Sequence, residues 1–264
     1  MRIGLIGFGA IGSHIARQMK KEIRNRKAVE ETGGGAPRIA WVVDADAAAK
    51  KRMARTGVRC PFYSSIPAGC GGAGLVVEAA SQSAVPMLLG CLPYCNVMIM
   101  SVGALADRKL LGKLETAAKK YRRRIYLPSG AIGGLDAIAS ADGKIQSVLL
   151  ETVKDPKSLG RNDSKRTVVF EGSASDACRL YPKNVNVSAT LSLAGIGFER
   201  TRVRIVSDPK VKRNIHCITI EAESGSMSFR FENEPFAENP KTSALAALSA
   251  ISRIRKIKEP MQIG

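Results

Sequence analysis

A glycine-rich turn near the start constrains this chain more than any other feature. The run Gly7-Phe8-Gly9-Ala10-Ile11-Gly12 follows a short apolar strand, Arg2–Ile6, and leads into a helix-like stretch, Ser13–Arg26. A strand that passes through a G-x-G-x-x-G turn into a helix is typical of the first βαβ unit of a dinucleotide-binding domain. The pattern therefore predicts a Rossmann domain at this end of the chain.

Each glycine of the turn has a mechanical role in such a domain. Gly7 permits the tight turn, Gly9 lets the backbone approach a pyrophosphate, and Gly12 allows the helix to pack closely on the strand. The backbone N–H groups of Ala10 and Ile11 then point at the phosphates from the positive end of the helix. We expect all five residues to bind the cofactor.

An acidic residue ends the second predicted strand. Ile39–Val43 is apolar and is followed by Asp44, whose carboxylate can accept hydrogen bonds from both ribose hydroxyls. Such a residue favours NAD over NADP, because a 2′-phosphate would meet a negative charge. Asp44 lies 32 residues beyond Gly12 instead of the usual ~20, and the polar segment Lys27–Arg38 accounts for the difference.

Two alternatives at this position stay open. Asp44 is also suited to be the N-cap of the helix that follows. NADP remains possible, because cations that could receive a 2′-phosphate follow closely at Lys50, Lys51 and Arg52.

Strand and helix patterns alternate over about 125 residues, which predicts a parallel, doubly wound sheet. Beyond the first two strands, apolar segments predict strands at Gly74–Glu78, Asn96–Val102 and Arg124–Leu127. Helical patterns occupy Asp46–Thr56, Ser83–Leu92 and Asp107–Arg123.

The pattern changes at Pro128. Strand-like segments then dominate, at Lys144–Lys154, Lys165–Glu171, Arg200–Ser207, Asn214–Glu223 and Met227–Asn233, with short helices at Ser173–Leu180 and Asn184–Gly195. Arg200–Ser207 alternates basic and apolar residues, which is typical of an antiparallel strand with one solvated face. We expect an α+β domain with a mixed sheet and two helices on one face, followed by an amphipathic helix at Thr242–Lys258.

The composition limits the partners that the chain can have. Its 264 residues include 41 Lys and Arg against 23 Asp and Glu, a net charge of +18 that suggests a polyanion. The basic residues are spread along the chain and aromatic residues are few, so we expect no nucleic-acid partner. No apolar run is long enough for a membrane span and no signal peptide is visible, so we expect no membrane partner and a cytoplasmic location. The six scattered cysteines predict reduced thiols and no metal site.

The chain has two histidines, His14 and His216. His14 falls in the first turn of the dinucleotide helix, where a positive charge is unfavourable, so we interpret it as structural. His216 alternates with Ile218 and Ile220 on one face of a predicted strand. That position suits either a core residue or a catalytic base.

Beyond the glycine turn, several motifs are shared, in the same order, with one known family. They are Ser129–Gly134, Phe170–Ala174, Pro182–Gly195, Asp208-Pro209 with Asn214 and His216, and Asn239–Ser243. On these motifs the sequence resembles the L-aspartate dehydrogenases. The resemblance covers most of the chain.

This resemblance implies an activity and site residues. The activity is NAD(P)-dependent oxidative deamination of L-aspartate to iminoaspartate, oxaloacetate and ammonia, feeding NAD biosynthesis, with His216 as the general acid and base. Ala131 and Asn186 are the implied cofactor contacts. Apart from the resemblance, the two carboxylates of the substrate need cationic or hydroxyl partners, and the candidates are Lys183, Ser129, Lys241 and Thr242.

The resemblance also implies an architecture. The Rossmann domain would comprise residues 1–128 and 241–264, the last helix returning to it, and residues 129–240 would form a catalytic domain that makes a homodimer. One departure concerns the residue after the histidine, which is usually acidic and is Cys217 here. An altered neighbour could change the basicity of His216.

Two rival hypotheses are also compatible with the sequence. The first is a related two-domain dehydrogenase of the homoserine or dihydrodipicolinate reductase type, which would share the first 125 residues. The second is a non-enzymatic Rossmann protein that senses a nucleotide or binds nucleic acid, as the +18 charge suggests.

Overall fold

The computed structural model describes residues 1–26, 36–141, 144–182, 185–236, 239–257 and 259–261. The chain divides into two compact units. The first contains Met1–Pro128 and Ala250–Pro260, and the second is built on Ser129–Ser249. Most of the Lys27–Arg38 segment, residues 27–35, lies outside the described residues.

The first unit is built on a six-stranded parallel sheet with the strand order β3-β2-β1-β4-β5-β6. This order is that of a Rossmann fold, and it confirms the predicted fold class. The strands are nearly continuous apolar runs, as expected where helices cover both faces of a parallel sheet. They are β1 (Arg2–Ile6), β2 (Arg38–Val43), β3 (Phe62–Tyr63), β4 (Leu75–Glu78), β5 (Asn96–Ile99) and β6 (Ile125–Tyr126).

Three α-helices belong to this unit: α1 (Ala10–Arg26), α2 (Ala48–Thr56) and α3 (Arg108–Lys120). The helix predicted over Ser83–Leu92 is wrong in type, because Gln82–Gly90 forms 3₁₀ turns instead. Pro86 lies inside this segment, lacks an N–H group and cannot be accommodated in the interior of an α-helix.

The second unit contains a five-stranded mixed sheet with the order β11-β10-β7-β9-β8. Its strands are β7 (Ile145–Lys154), β8 (Thr167–Ser173), β9 (Thr201–Ser207), β10 (Asn214–Ala222) and β11 (Gly225–Asn233). The strand predicted at Arg200–Ser207 is antiparallel to β8 but runs parallel to β7 on its other side. Its alternation reflects which side chains are buried, and this does not reveal the direction of the neighbouring strands.

Helices cover one face of this sheet: α4 (Leu135–Ser140), α5 (Ala174–Leu180) and α6 (Asn186–Ala194). A methyl group added at Gly195, directly after α6, would contact Ile138 of α4 at 3.4 Å and Val148 of β7 at 3.9 Å. Even-numbered positions of β7 therefore face these helices, since side chains alternate along a strand.

The last elements are a short hairpin and a helix. They are β12 (Pro235–Phe236), β13 (Asn239–Ser243) and α7 (Ala244–Lys256). The second half of α7 contributes Ala250, Ile251 and Ile254 to the core of the first unit. No helix in the described part of the chain is long and apolar enough to cross a membrane.

Candidate active site

The glycine turn has the geometry that dinucleotide binding requires. Gly7 has a φ of +93°, which a residue with a side chain rarely adopts. A Cβ atom at Gly12 would lie 2.1 Å from the carbonyl oxygen of Gly7, so only glycine allows α1 to begin so close to β1. A Cβ atom at Gly9 would meet nothing within 4 Å. The backbone at Gly9 thus faces open space, directly before the N-terminus of α1 at Ala10, and these residues fit a pyrophosphate group.

Asp44 lies beside this turn. Its Oδ2 accepts a hydrogen bond of 2.6 Å from the backbone N–H of Phe8, and its Oδ1 accepts one of 2.8 Å from Asp46. Helix α2 begins only at Ala48, so Asp44 does not serve as its N-cap. The carboxylate instead ties the glycine turn to the end of β2.

Arg52 is a charged neighbour of the same turn. Its Nε donates to the carbonyl oxygen of Phe8 at 3.2 Å, and its Nη1 donates to Asp46 at 2.7 Å. The hydrogen bond from Arg52 Nη1 is the main reason that the pKa of the Asp46 carboxyl group lies below its usual value. The Nη2 atom lies 3.9 Å from Asp44 Oδ2. One cation and two carboxylates therefore stand next to the end of β2.

Glu78, at the end of β4, is a polar feature that the sequence analysis missed. It is completely buried, and it accepts hydrogen bonds from the N–H of Ala80 at 2.8 Å and from the N–H and hydroxyl of Ser101 at 3.0 and 2.9 Å. Burial raises its pKa, and these hydrogen bonds oppose the increase. The signal for Glu78 in the sequence is an acidic residue at the end of an apolar strand. Glu78 connects the segments that follow β4 and β5.

In the second unit, His216 lies on β10 and is buried. It stands opposite Thr152 of β7 and Phe231 of β11. Its Nδ1 forms a hydrogen bond of 3.0 Å with the hydroxyl of Thr152. This hydrogen bond fixes the orientation of the imidazole ring.

A row of buried polar residues crosses the sheet next to His216. Ser207 of β9 pairs with Lys154 of β7, and Asn214 of β10 pairs with Asn233 of β11. Because Val153 lies opposite Ile215, the register places Lys154 opposite Asn214. All four side chains are buried and share the face of His216. Lys154 and Asn233 were not identified from the sequence.

Burial and charge set the protonation of this cluster. Burial lowers the pKa of Lys154 to about 8. Burial lowers the pKa of His216 to about 3, and the charge of Lys154 contributes to the decrease. The imidazole of His216 is therefore neutral near pH 7 and has a lone pair available to accept a proton.

The loop that contains Ala131 is attached to the same face of the sheet. The carbonyl oxygen of Ala131 accepts a hydrogen bond of 2.8 Å from Asn233 Nδ2. Gly134 has a φ of +70°, and a Cβ atom there would lie 2.7 Å from the ring of Phe229. The fold thus places Ala131 within the cluster of polar residues that includes His216.

The other predicted site residues are exposed, half-buried or outside the described residues. Asn186 is exposed in the first turn of α6, whose N-cap position is Val185. Ser129 is half-buried. Lys183, with the side chains of Lys241 and Thr242, lies outside the described residues.

Cys217 does not face His216. It lies on the opposite face of β10, where its sulfur accepts a hydrogen bond of 3.5 Å from Arg230 Nη1. The expected effect of this residue on the basicity of His216 has no structural basis, because neighbouring residues of a strand point to opposite faces.

The six cysteines are free thiols. The fold brings Cys70 into hydrogen-bonding contact with Cys91 and Cys95, a cluster that their positions in the sequence did not indicate. Among the described residues, no group of three or more His, Cys, Asp or Glu side chains could hold a metal ion.

A Rossmann unit with an open glycine turn, followed by a mixed-sheet unit with an oriented, neutral histidine, defines a two-domain nicotinamide-dependent dehydrogenase. Two family models match the chain. One, described as the NAD-binding domain of homoserine dehydrogenase, matches residues 7–128, and the other, described as the C-terminal domain of aspartate dehydrogenase, matches residues 136–257. The first match confirms the predicted NAD-type cofactor.

Comparison with individual proteins assigns the chain to a narrower family. L-aspartate dehydrogenases of Methanosarcina acetivorans and Methanocella arvoryzae are 41% and 43% identical to this chain, over 100% of it and 99% of each relative. The crystal structure of aspartate dehydrogenase from Thermotoga maritima is 30% identical, with a TM-score of 0.77 over 100% of this chain and 99% of that one. The chain belongs to the L-aspartate dehydrogenase family.

Proposed function

We propose that this protein catalyses the NAD(P)-dependent oxidative deamination of L-aspartate, with His216 as the group that transfers protons. The observation that carries the proposal is the buried, neutral imidazole of His216, oriented by Thr152 at 3.0 Å. Family membership over the full length of the chain supports aspartate as the substrate.

The first unit would hold the cofactor. The backbone N–H groups of Ala10 and Ile11, behind the glycines at positions 7, 9 and 12, would bind the pyrophosphate, and Asp44 would bind the adenosine ribose. Ala131 and Asn186 are two further proposed cofactor contacts. When bound, the nicotinamide ring supplies the hydride acceptor.

His216 would act on the substrate nitrogen. The ammonium group of aspartate must lose a proton before its lone pair can assist removal of hydride from Cα. For His216 to accept this proton at Nε2, its Nδ1 must carry hydrogen and donate to the hydroxyl of Thr152. Water then adds to the resulting imine, and the same imidazole returns the proton as oxaloacetate and ammonia form.

A substrate panel tests the proposed function. We expect L-aspartate to reduce NAD⁺ or NADP⁺ in the presence of the purified protein, measured as absorbance of the reduced nicotinamide. L-homoserine and a cyclic imine are the matched comparisons for the related two-domain enzymes. Turnover of either of these with no response to aspartate would contradict the proposal.

Cofactor preference gives a separate prediction at Asp44. Asp44→Asn keeps an oxygen that can accept from Phe8 but removes the charge that repels a 2′-phosphate, and Arg52 stays in place. We expect the ratio of kcat/KM for NADP⁺ to that for NAD⁺ to rise at least ~10-fold. Arg52→Ala is the opposite variant and should lower this ratio. An unchanged ratio in Asp44→Asn would remove Asp44 from its proposed role.

The same proposal includes the assembly and the setting of the enzyme. We propose that residues 1–128 and 241–264 form the cofactor domain, and that residues 129–240 form the catalytic domain and make a homodimer. We also propose that the enzyme supplies iminoaspartate for NAD biosynthesis in the cytoplasm. Light scattering of the purified protein measures the mass and tests the dimer.

A further inference from the structure

We propose that Glu78 is a positioning residue for the nicotinamide half of the cofactor: its buried carboxyl group fixes the two segments that this half binds, which follow β4 and β5. The inference rests on the proposed function, which places the adenosine half of the cofactor at the glycine turn and Asp44. It assigns a role to a residue that neither the sequence pattern nor the family motifs indicated.

The strand order locates the two halves of the cofactor. Strands β2 and β3 lie on one side of β1, and β4, β5 and β6 lie on the other, so the order reverses between β1 and β4. A dinucleotide binds across the crevice at this reversal, along the carboxyl ends of the strands, with one mononucleotide on each half of the sheet. Because Asp44 follows β2, the nicotinamide half belongs to β4–β6. Glu78 is the last residue of β4, directly beside the reversal.

The carboxyl group of Glu78 connects two backbone segments of this half. Its Oε1 accepts hydrogen bonds from the N–H of Ala80 at 2.8 Å and from the hydroxyl of Ser101 at 2.9 Å. Its Oε2 accepts one from the N–H of Ser101 at 3.0 Å, and the N–H of Ser81 is a further donor. Ala80 and Ser81 directly follow β4, and Ser101 directly follows β5. One side chain therefore holds the segments after two neighbouring strands.

The first of these segments lies against the glycine turn. A Cβ atom at Gly7 would be 2.6 Å from the carbonyl oxygen of Ala79 and 2.8 Å from the Cα atom of Ala80. The N–H of Ala80 belongs to the same peptide unit as that carbonyl group, so its hydrogen bond to Glu78 sets the orientation of the peptide beside the turn. Ala80 and Ser81 are exposed. Glu78 thus shapes an accessible surface next to the residues that fit a pyrophosphate.

The burial of Glu78 supports a role in holding backbone. The residue is 0% exposed, and it is the only buried carboxyl side chain among the residues of the first unit that the structure describes. Burial of a carboxyl group costs free energy unless hydrogen bonds compensate for the lost water. Here the donors come from the two segments themselves, and a satisfied buried network of this kind fixes one arrangement. An apolar side chain, as at Val76 on the same face, would be buried without connecting them.

The glycine turn is held from the opposite side of β1. The N–H of Gly7 donates to the carbonyl oxygen of Val43 at 2.8 Å, and the N–H of Phe8 donates to Asp44 at 2.6 Å. Both partners lie at the end of β2. Loss of the Glu78 carboxyl group should therefore weaken binding of the nicotinamide half and leave the adenosine half and the pyrophosphate in place.

The test compares NADH with ADP, which lacks the nicotinamide and its ribose. Both oxygens of Glu78 face donors, so Glu78→Gln turns its NH₂ group toward one of the N–H groups. The segments then keep their binding shape for a smaller fraction of the time, and the apparent affinity falls in proportion. By calorimetry we expect the Kd for NADH to rise at least ~10-fold and the Kd for ADP to stay within about twofold.

A matched control makes the same acid-to-amide change nearby. Asp107 follows the segment Val102–Ala106 and caps α3, where its Oδ1 accepts from the N–H of Lys109 at 2.8 Å. Asparagine caps a helix equally well, so Asp107→Asn should leave the affinities for both ligands unchanged.

Ser101→Ala carries the test should Glu78→Gln fail to fold, because it removes only the hydroxyl donor and keeps the N–H of residue 101. We expect it to raise the Kd for NADH at least ~3-fold, as for a single hydrogen bond, without changing the Kd for ADP. In the double variant the loss should be smaller than the product of the two single losses, because both changes act through one contact.

Three results would overturn the role of Glu78: unchanged NADH affinity in Glu78→Gln, equal weakening of NADH and ADP, or a double variant whose loss is the full product. The proposed function fails in a different way. A selective loss of NADH affinity in Glu78→Gln, when the wild type does not oxidise aspartate, would contradict the proposed function and keep the role of Glu78. Aspartate oxidation by the wild type, with NADH affinity unaffected by Glu78→Gln, would do the reverse.

Discussion

Replacement of His216 by alanine is expected to lower kcat for L-aspartate oxidation by at least ~100-fold, the low end for general acid–base catalysis. The substrate ammonium would lose the group that accepts its proton, and the carbinolamine would lose the group that returns it. The measurement is the initial rate of nicotinamide reduction at saturating L-aspartate.

Two variants make this result specific. Cys217→Ser changes the next residue of β10, whose side chain lies on the opposite face with Arg230, and we expect its rate to stay within about twofold of the wild type. Thr152→Val removes the hydrogen bond to Nδ1 and should give a smaller loss than His216→Ala. Equal activity of His216→Ala and Cys217→Ser would show that proton transfer occurs elsewhere.

The second large effect is expected at Gly9, where a side chain should weaken cofactor binding without harming the fold. A methyl group at this position meets no protein atom within 4 Å, so Gly9→Ala should keep its free energy of unfolding within about 0.5 kcal/mol. The same methyl group would occupy the space that the pyrophosphate needs. We expect the Kd for NADH, measured by fluorescence, to rise at least ~10-fold.

Gly12 provides the contrast, because its added Cβ would lie 2.1 Å from the carbonyl oxygen of Gly7. Gly12→Ala should therefore destabilise the protein by at least about 2 kcal/mol. Gly112→Ala is the control: this glycine lies inside α3 with nothing within 4 Å, and the change should stabilise the helix by about 0.5–1 kcal/mol. Tight NADH binding by Gly9→Ala would show that the pyrophosphate does not approach this turn.

The local signals in the sequence were reliable because their causes are local. The glycine turn depends on φ angles and contacts within six residues, and the alternating strands and helices depend on periodicities of a few residues. The segment around Pro86 was predicted to be an α-helix. It is helical at the predicted position, but it forms 3₁₀ turns, because proline does not fit the interior of an α-helix.

Other features needed the folded chain. Asp44 contacts Phe8 across 36 residues, and Glu78 contacts Ser101 across 23. Each is an acidic residue at the end of an apolar strand, and the sequence shows that position but not the backbone N–H group that the carboxylate will meet. For Asp44 the sequence also allows an N-cap role, which the start of α2 at Ala48 excludes.

By itself the sequence determined the Rossmann fold of the first half, the mixed sheet of the second and the candidacy of His216, because these follow from short-range patterns and from motifs shared with one family. Only the tertiary structure decided the surroundings of that histidine. Thr152 is 64 residues away in the chain and Lys154 is two positions closer, and the register between β7 and β10 brings both to its side while turning Cys217 away. Strand register is set by packing between distant segments, and no local pattern specifies it.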